Sequence, residues 1–82
     1  MIPRIKEVKT LNDYVIEVLF DDEVKVSFDL KTMMKEVPIY NDLKKDGLFE
    51  KYKVDESRTR LYWTDMIDLP SDGLYDLGKR ID

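Results

Sequence analysis

Three aspartates close together, Asp65, Asp68 and Asp72, have the spacing nearest to a chemical site. Carboxylates so grouped could supply oxygen ligands to Mg²⁺ or Ca²⁺. The twelve-residue calcium-loop pattern is absent, and Pro70-Ser71-Asp72 reads as a helix start. The three are therefore expected to be turn and cap residues. The chain has no His and no Cys. That excludes histidine-based triads, thiol nucleophiles and the usual zinc ligands. Ser27, Ser57 and Ser71 have no base partner, and Gly47, Gly73 and Gly78 are isolated rather than gathered in a phosphate loop. No catalytic residue, cofactor or metal is assigned, and the expectation is a protein that is not an enzyme.

Nucleic-acid chemistry is the next candidate. Lys44, Lys45, Lys51, Lys53, Arg58 and Arg60 are interleaved with Tyr52, Tyr62 and Trp63. Such a mixture can stack bases and track phosphates. Asp42, Asp46, Glu50, Asp55 and Glu56 run through the same segment, whereas a nucleic-acid footprint should be dominated by one sign of charge. A solvated mixed-charge face is the preferred reading, and nucleic acid is not expected as the sole ligand.

Aromatic residues remain as anchors. Trp63 could hold a partner, because Trp is enriched at interface hot spots. A lone Trp at the end of a strand in a small domain is more readily its core centrepiece. On that reading Leu74 and Leu77 should pack near Trp63, and Asp68 should sit in the connecting turn and accept bonds from backbone N–H groups. Tyr52, Tyr62 and Tyr75 are the candidate interaction residues, with Tyr75 presenting its hydroxyl at a rim. Met33 and Met34 suit either core gaps or an adaptable contact surface.

These side chains need elements to position them. Tyr14 to Phe20 alternates Tyr14, Ile16, Val18 and Phe20 with Val15, Glu17 and Leu19, as a strand does. Val24, Val26, Phe28 and Leu30 define a second strand, and Asp21-Asp22-Glu23 closes a hairpin between them. An earlier strand over Arg4 to Thr10 changes parity between Ile5 and Val8, which predicts a bulge near Lys6-Glu7. Asp29 and Thr32 are cap candidates for a short helix through Met33-Met34. Helical spacing continues from Pro38 or Asn41 until Asp46-Gly47, and Leu48, Phe49 and Tyr52 form another helical cluster. Lys53 to Asp55 and Thr59 to Trp63 predict a later strand pair. Ser71 is expected to cap a final helix that Gly78 and Lys79-Arg80 end. The fold class is α+β: a small antiparallel sheet, from an N-terminal β-meander plus the later strand pair, packed with short helices.

The 82 residues bound one domain, spanning 1–82, with a modest core. Acidic side chains number 18 against 14 basic, a net charge of -4 that disfavours non-specific attraction to nucleic acid or anionic lipid. No apolar run approaches the ~18 residues of a membrane helix, and Met1 to Lys6 lacks a signal-peptide pattern. A cytoplasmic protein with no membrane contact is the expectation.

Several short motifs together resemble a small bacterial family, domain of unknown function 2442. They are Pro3-Arg4-Ile5-Lys6-Glu7-Val8, the hairpin Val18 to Val24, Asp29-Leu30, and Leu43 with Leu48-Phe49. Above all they include Trp63 followed by Asp68-Leu69 and Leu74-Tyr75. The chain departs from the family pattern at Glu23 and near Met66, where glycine is usual. The resemblance implies an α+β fold and residence beside small toxin-like genes, with some relatives fused to a helix-turn-helix domain. It carries no catalytic residues. The resulting expectation is a non-enzymatic protein-interaction module, an antitoxin-like partner of a small protein encoded by the neighbouring gene. Self-association is a further option; a nucleic-acid-binding or transcription accessory domain is the alternative, and an enzyme working through carboxylates ranks below it.

Overall fold

The computed structural model describes residues 2–81. It is an α+β fold with two antiparallel sheets. Strands β1 (Ile5–Thr10), β2 (Val15–Phe20) and β3 (Lys25–Asp29) form the expected meander. The anticipated bulge lies between Ile5 and Glu7 and turns Ile5 inward towards Phe20. The even positions Ile16, Val18 and Phe20 are fully buried, and Val26 lies opposite Val18.

Departures from the expected strands at Tyr14 and Leu30 have local causes. Tyr14 is not in β2 but in the preceding turn, where Asp13 and Tyr14 both take positive φ. Leu30 is not a strand residue, because Asp29 ends β3 and caps α1 (Leu30–Glu36) by accepting from the Lys31 N–H. Thr32 therefore lies inside that helix and caps nothing.

The middle of the chain forms two 3₁₀ segments, Pro38–Lys44 and Leu48–Glu50, which place Tyr40, Leu43 and Phe49 in the core. Asp46 and Gly47, both at positive φ, separate them. The later strand pair is a three-stranded sheet: β4 (Lys53–Val54), β5 (Arg60–Thr64) and β6 (Ile67–Pro70). Sequence reading missed β6 because Pro70 pointed to a helix start. Pro70 is tolerated at the end of an edge strand, where its missing N–H breaks no ladder. The tight Asp65-Met66 turn needs no glycine. Neither residue has positive φ, and the Thr64 hydroxyl accepts from the Met66 and Ile67 N–H groups.

Helix α2 (Ser71–Leu77) follows, then a seventh strand, β7 (Lys79–Ile81), which extends the first sheet beside β3. Ser71 does not cap α2. It is the first helical residue, its N–H donates to the Thr59 carbonyl, and its fully buried hydroxyl has no partner among the described residues. The core joins the inner faces of both sheets, with Leu61, Trp63, Ile67 and Leu69 from the second meeting Ile5, Ile16, Val18, Phe20 and Val26 from the first.

Glu23 stands where the family that the sequence resembles usually has glycine. Its φ is 71°, so the turn keeps a left-handed backbone with a non-glycine residue. A side chain there costs about 1–2 kcal/mol, while its exposed ion pair to Lys6 weighs little against that. Glu23→Gly should therefore stabilise the protein by about 1 kcal/mol, read as a rise in the urea midpoint at unchanged slope.

Candidate partner-binding surface

The site is assembled by the β2–β3 turn, the N-terminal segment and α2. The turn is held by bonds from Phe20 N–H to the Val24 carbonyl and from Glu23 N–H to the Phe20 carbonyl. Asp22 Oδ1 accepts the Val24 N–H at 3.0 Å. Asp21 is gripped by both terminal nitrogens of Arg58, at 2.7 and 2.9 Å. This bidentate pair ties the hairpin to the β4–β5 loop.

Helix α2 buries Leu74 and swings Tyr75 towards the same turn. The Tyr75 ring meets Phe20 edge-on at 5.0 Å, and its hydroxyl donates to Asp22 Oδ2 at 2.6 Å. Arg80, from β7, lies over the tyrosine ring at 4.2 Å from its centre. Two adjoining hollows result, both lined by Pro3 and Asp22. One is floored by Ile2, Pro3 and Phe20 with Arg4 and Asp21 on its rim, and the other is bounded by Asp72, Tyr75 and Asp76. Ile2 is 59 % exposed beside them. Asp72 and Asp76 form no ion pair with another described residue, so the cleft carries acidic side chains next to apolar surface, with Arg80 over the Tyr75 ring as a neighbouring basic group.

The local bonds keep this charge in place. The Tyr75 hydroxyl, with the Val24 N–H, holds Asp22 below its ordinary carboxylate value. The Arg58 guanidinium does the same for Asp21. Asp29 is lowered chiefly by the Lys31 backbone N–H. For Asp55 burial acts in the raising direction, but bonds from Ser57, Thr59 and Arg60 outweigh it. Because native values lie below unfolded ones, this stabilisation is complete above the ordinary carboxylate range near 4 and is lost as pH falls through the native values. The melting temperature should be flat from about pH 7 to 5 and drop steeply below about pH 4. A flat profile down to about pH 2 would mean these bonds do not stabilise the fold.

The sequence-derived candidates fall in different settings. Trp63, Leu69 and Leu74 are buried. Trp63 stacks on Phe49 at 6.3 Å, and its Nε1–H donates to the Phe49 carbonyl at 2.8 Å. Asp68 is not in a connecting turn. It lies in β6, where its carboxylate accepts from Arg60 Nε at 2.7 Å and its carbonyl accepts from the Tyr40 hydroxyl. Leu77 does not pack near Trp63 either; it is 76 % exposed, because the short α2 turns only Leu74 fully inward. Asp65, Asp68 and Asp72 do not converge, and no group of three carboxylates among the described residues could hold a metal ion.

Tyr52 donates its hydroxyl to the Val8 carbonyl and so joins the segment just before β4 to the edge of β1. Tyr62 lies under the Arg60 guanidinium at 4.3 Å. Of the basic residues considered for nucleic acid, Lys45, Arg58 and Arg60 are each engaged by an aspartate. Tyr75 alone among the three tyrosines is shared with the acidic cleft. Sequence reading missed Asp21, Asp22 and Asp76 as parts of one surface. Their signal was the doubled aspartate of the hairpin turn, which gives the cleft charge as well as a turn. No helix among the described residues is long and apolar enough to cross a membrane.

A family model described as protein of unknown function (DUF2442) matches residues 5–80. No curated protein and no solved structure matches the chain.

Proposed function

The chain belongs to the DUF2442 family, and from that premise we propose that it is a non-enzymatic protein-interaction module whose acidic, apolar-floored cleft receives a basic segment of a partner protein. The observation that carries this reading is the cleft itself. Asp22, Asp72 and Asp76 surround apolar surface at Pro3 and the Tyr75 ring, and Asp72 and Asp76 have no cation of their own among the described residues. An excess of acidic groups beside apolar area favours a partner of the opposite sign and speeds its encounter. The whole chain, at net -4, has the same preference. Basic partner segments include those of small toxins that act on nucleic acid, so an antitoxin-like role in the cytoplasm is the finer form of the proposal.

Co-expression with the product of the adjacent gene is the first experiment. The two chains should co-purify in a fixed ratio and separate when salt is raised, since exposed charges are screened within about 10 Å at 0.1 M. Elution of the two proteins apart at low salt would count against the antitoxin-like form.

A further inference from the structure

A second surface lies away from the acidic cleft, between α1 and the corner where α2 passes into β7. Phe28 from β3 and Met33 from α1, both half-buried, floor a hollow of about 520 Å³. Leu77 stands at its margin with 76 % of its surface exposed. An apolar side chain this exposed contributes nothing to the monomer's core. Placed beside an apolar hollow, it forms a knob and a hole on one face.

The charges on that face have a matching arrangement. Glu36 lines the hollow from α1 and Lys79 lines it from β7. Both are exposed, and neither pairs with another described residue. The remaining acid, Asp29, is already bound to Lys31. A two-fold interface uses the same patch on both subunits, so whatever is unpaired on one must be answered by its own counterpart on the other. This patch meets that requirement in charge, with one unpaired acid and one unpaired base beside an exposed leucine and an apolar hollow.

We propose that this face docks a second copy of the chain about a two-fold axis. Leu77 of each copy enters the Phe28–Met33 hollow of the other. Glu36 of each copy then meets Lys79 of the other, giving two reciprocal ion pairs at the rim. Met33 suits the floor, because its unbranched thioether adapts to an inserted side chain. The patch is small and the rim charges are exposed, so the dimer is weak and concentration-dependent. The acidic cleft around Tyr75 is lined by other residues, so the proposal stands or falls apart from the heterologous partner.

Sedimentation velocity on the full chain from about 10 µM to about 1 mM tests it. The wild type should move from monomer towards dimer over that range. Leu77→Glu should stay monomeric throughout, with an unchanged circular dichroism spectrum, since the side chain is exposed in the monomer. Glu36→Lys and Lys79→Glu should each raise the dissociation constant at least about tenfold, and the double exchange E36K/K79E should restore it. A wild type that is monomeric at every concentration would overturn the proposal. So would a Leu77→Glu protein that dimerises like the wild type, or a double exchange that fails to restore association.

Discussion

Trp63→Ala is expected to unfold the protein. The indole is 5 % exposed, stacks on Phe49, and satisfies the Phe49 carbonyl through its Nε1–H. Truncation would leave a large cavity between β5 and the Leu48–Glu50 turn and a carbonyl without its donor. Changes of this kind cost roughly 3–5 kcal/mol, against a total of about 5 kcal/mol or slightly more for a domain this small. Thermal melting followed by circular dichroism should show no cooperative transition. Trp63→Phe should be milder, losing the hydrogen bond while retaining most of the stacking area. Tyr75→Ala should be milder still, at about 1–2 kcal/mol, because it removes one edge-on ring contact and a rim hydrogen bond. A fully folded Trp63→Ala protein that has lost its partner would reverse the assignment and make the indole the binding anchor.

Gly78→Ala has the second-largest expected effect, for a reason its position at the end of α2 does not suggest. Glycine at a helix end usually serves a left-handed backbone, but Gly78 has φ -67°. What it serves is close approach. A Cβ built there would lie 2.6 Å from the Leu74 carbonyl oxygen and 2.7 Å from Val26 Cβ and Cγ2. Val26 is fully buried on β3, and the Leu74 carbonyl accepts the Gly78 N–H that ends the helix. Neither obstacle is the tip of a flexible side chain, so α2 and β7 would have to move away from β3. Overpacking of this kind costs about 1–3 kcal/mol, and the β3–β7 pairing should loosen with it. Denaturant titration gives the loss of stability. Hydrogen exchange should show reduced protection at β7 before β1 or β2. Wild-type stability in Gly78→Ala would show that this contact relaxes without cost.

Both substitutions mark the limit of what the sequence discloses. The β2 and β3 alternation and the Ile5–Val8 parity change were legible because one buried face imposes period two, and a bulge is the only way to change phase along it. Asp29 was legible as a cap because its type and place before an apolar run are local facts. The α+β class followed from those elements in order. Long-range pairing was not legible. Lys79-Arg80-Ile81 reads as a helix terminus until β3 supplies a partner for it. Ile67-Asp68-Leu69-Pro70 contains the right alternation, but Pro70 masks it. Leu77 has the spacing of a core residue and is left outside because α2 is too short to wrap both leucines inward.

The acidic cleft shows the same division. Tyr75 could be singled out as an aromatic on a short helix. Its hydroxyl's partner, Asp22, lies 53 residues away in the chain and becomes visible only when the sheets close. Asp21 and Arg58 likewise meet across 37 residues. Charge composition pointed to a basic partner, but which carboxylates would remain unpaired depends on these closures.

The measurement that tests the interaction account most directly is a calorimetric titration of the adjacent gene's product into wild-type protein and into the D72N/D76N variant. Asparagine keeps the shape and an acceptor oxygen at both positions, so melting temperatures should agree within a few degrees. The account predicts that the wild type binds, that affinity falls steeply with salt, and that the double variant binds at least about tenfold more weakly. Equal affinity for the two proteins, or no heat of binding for the wild type at about 100 µM, would contradict it.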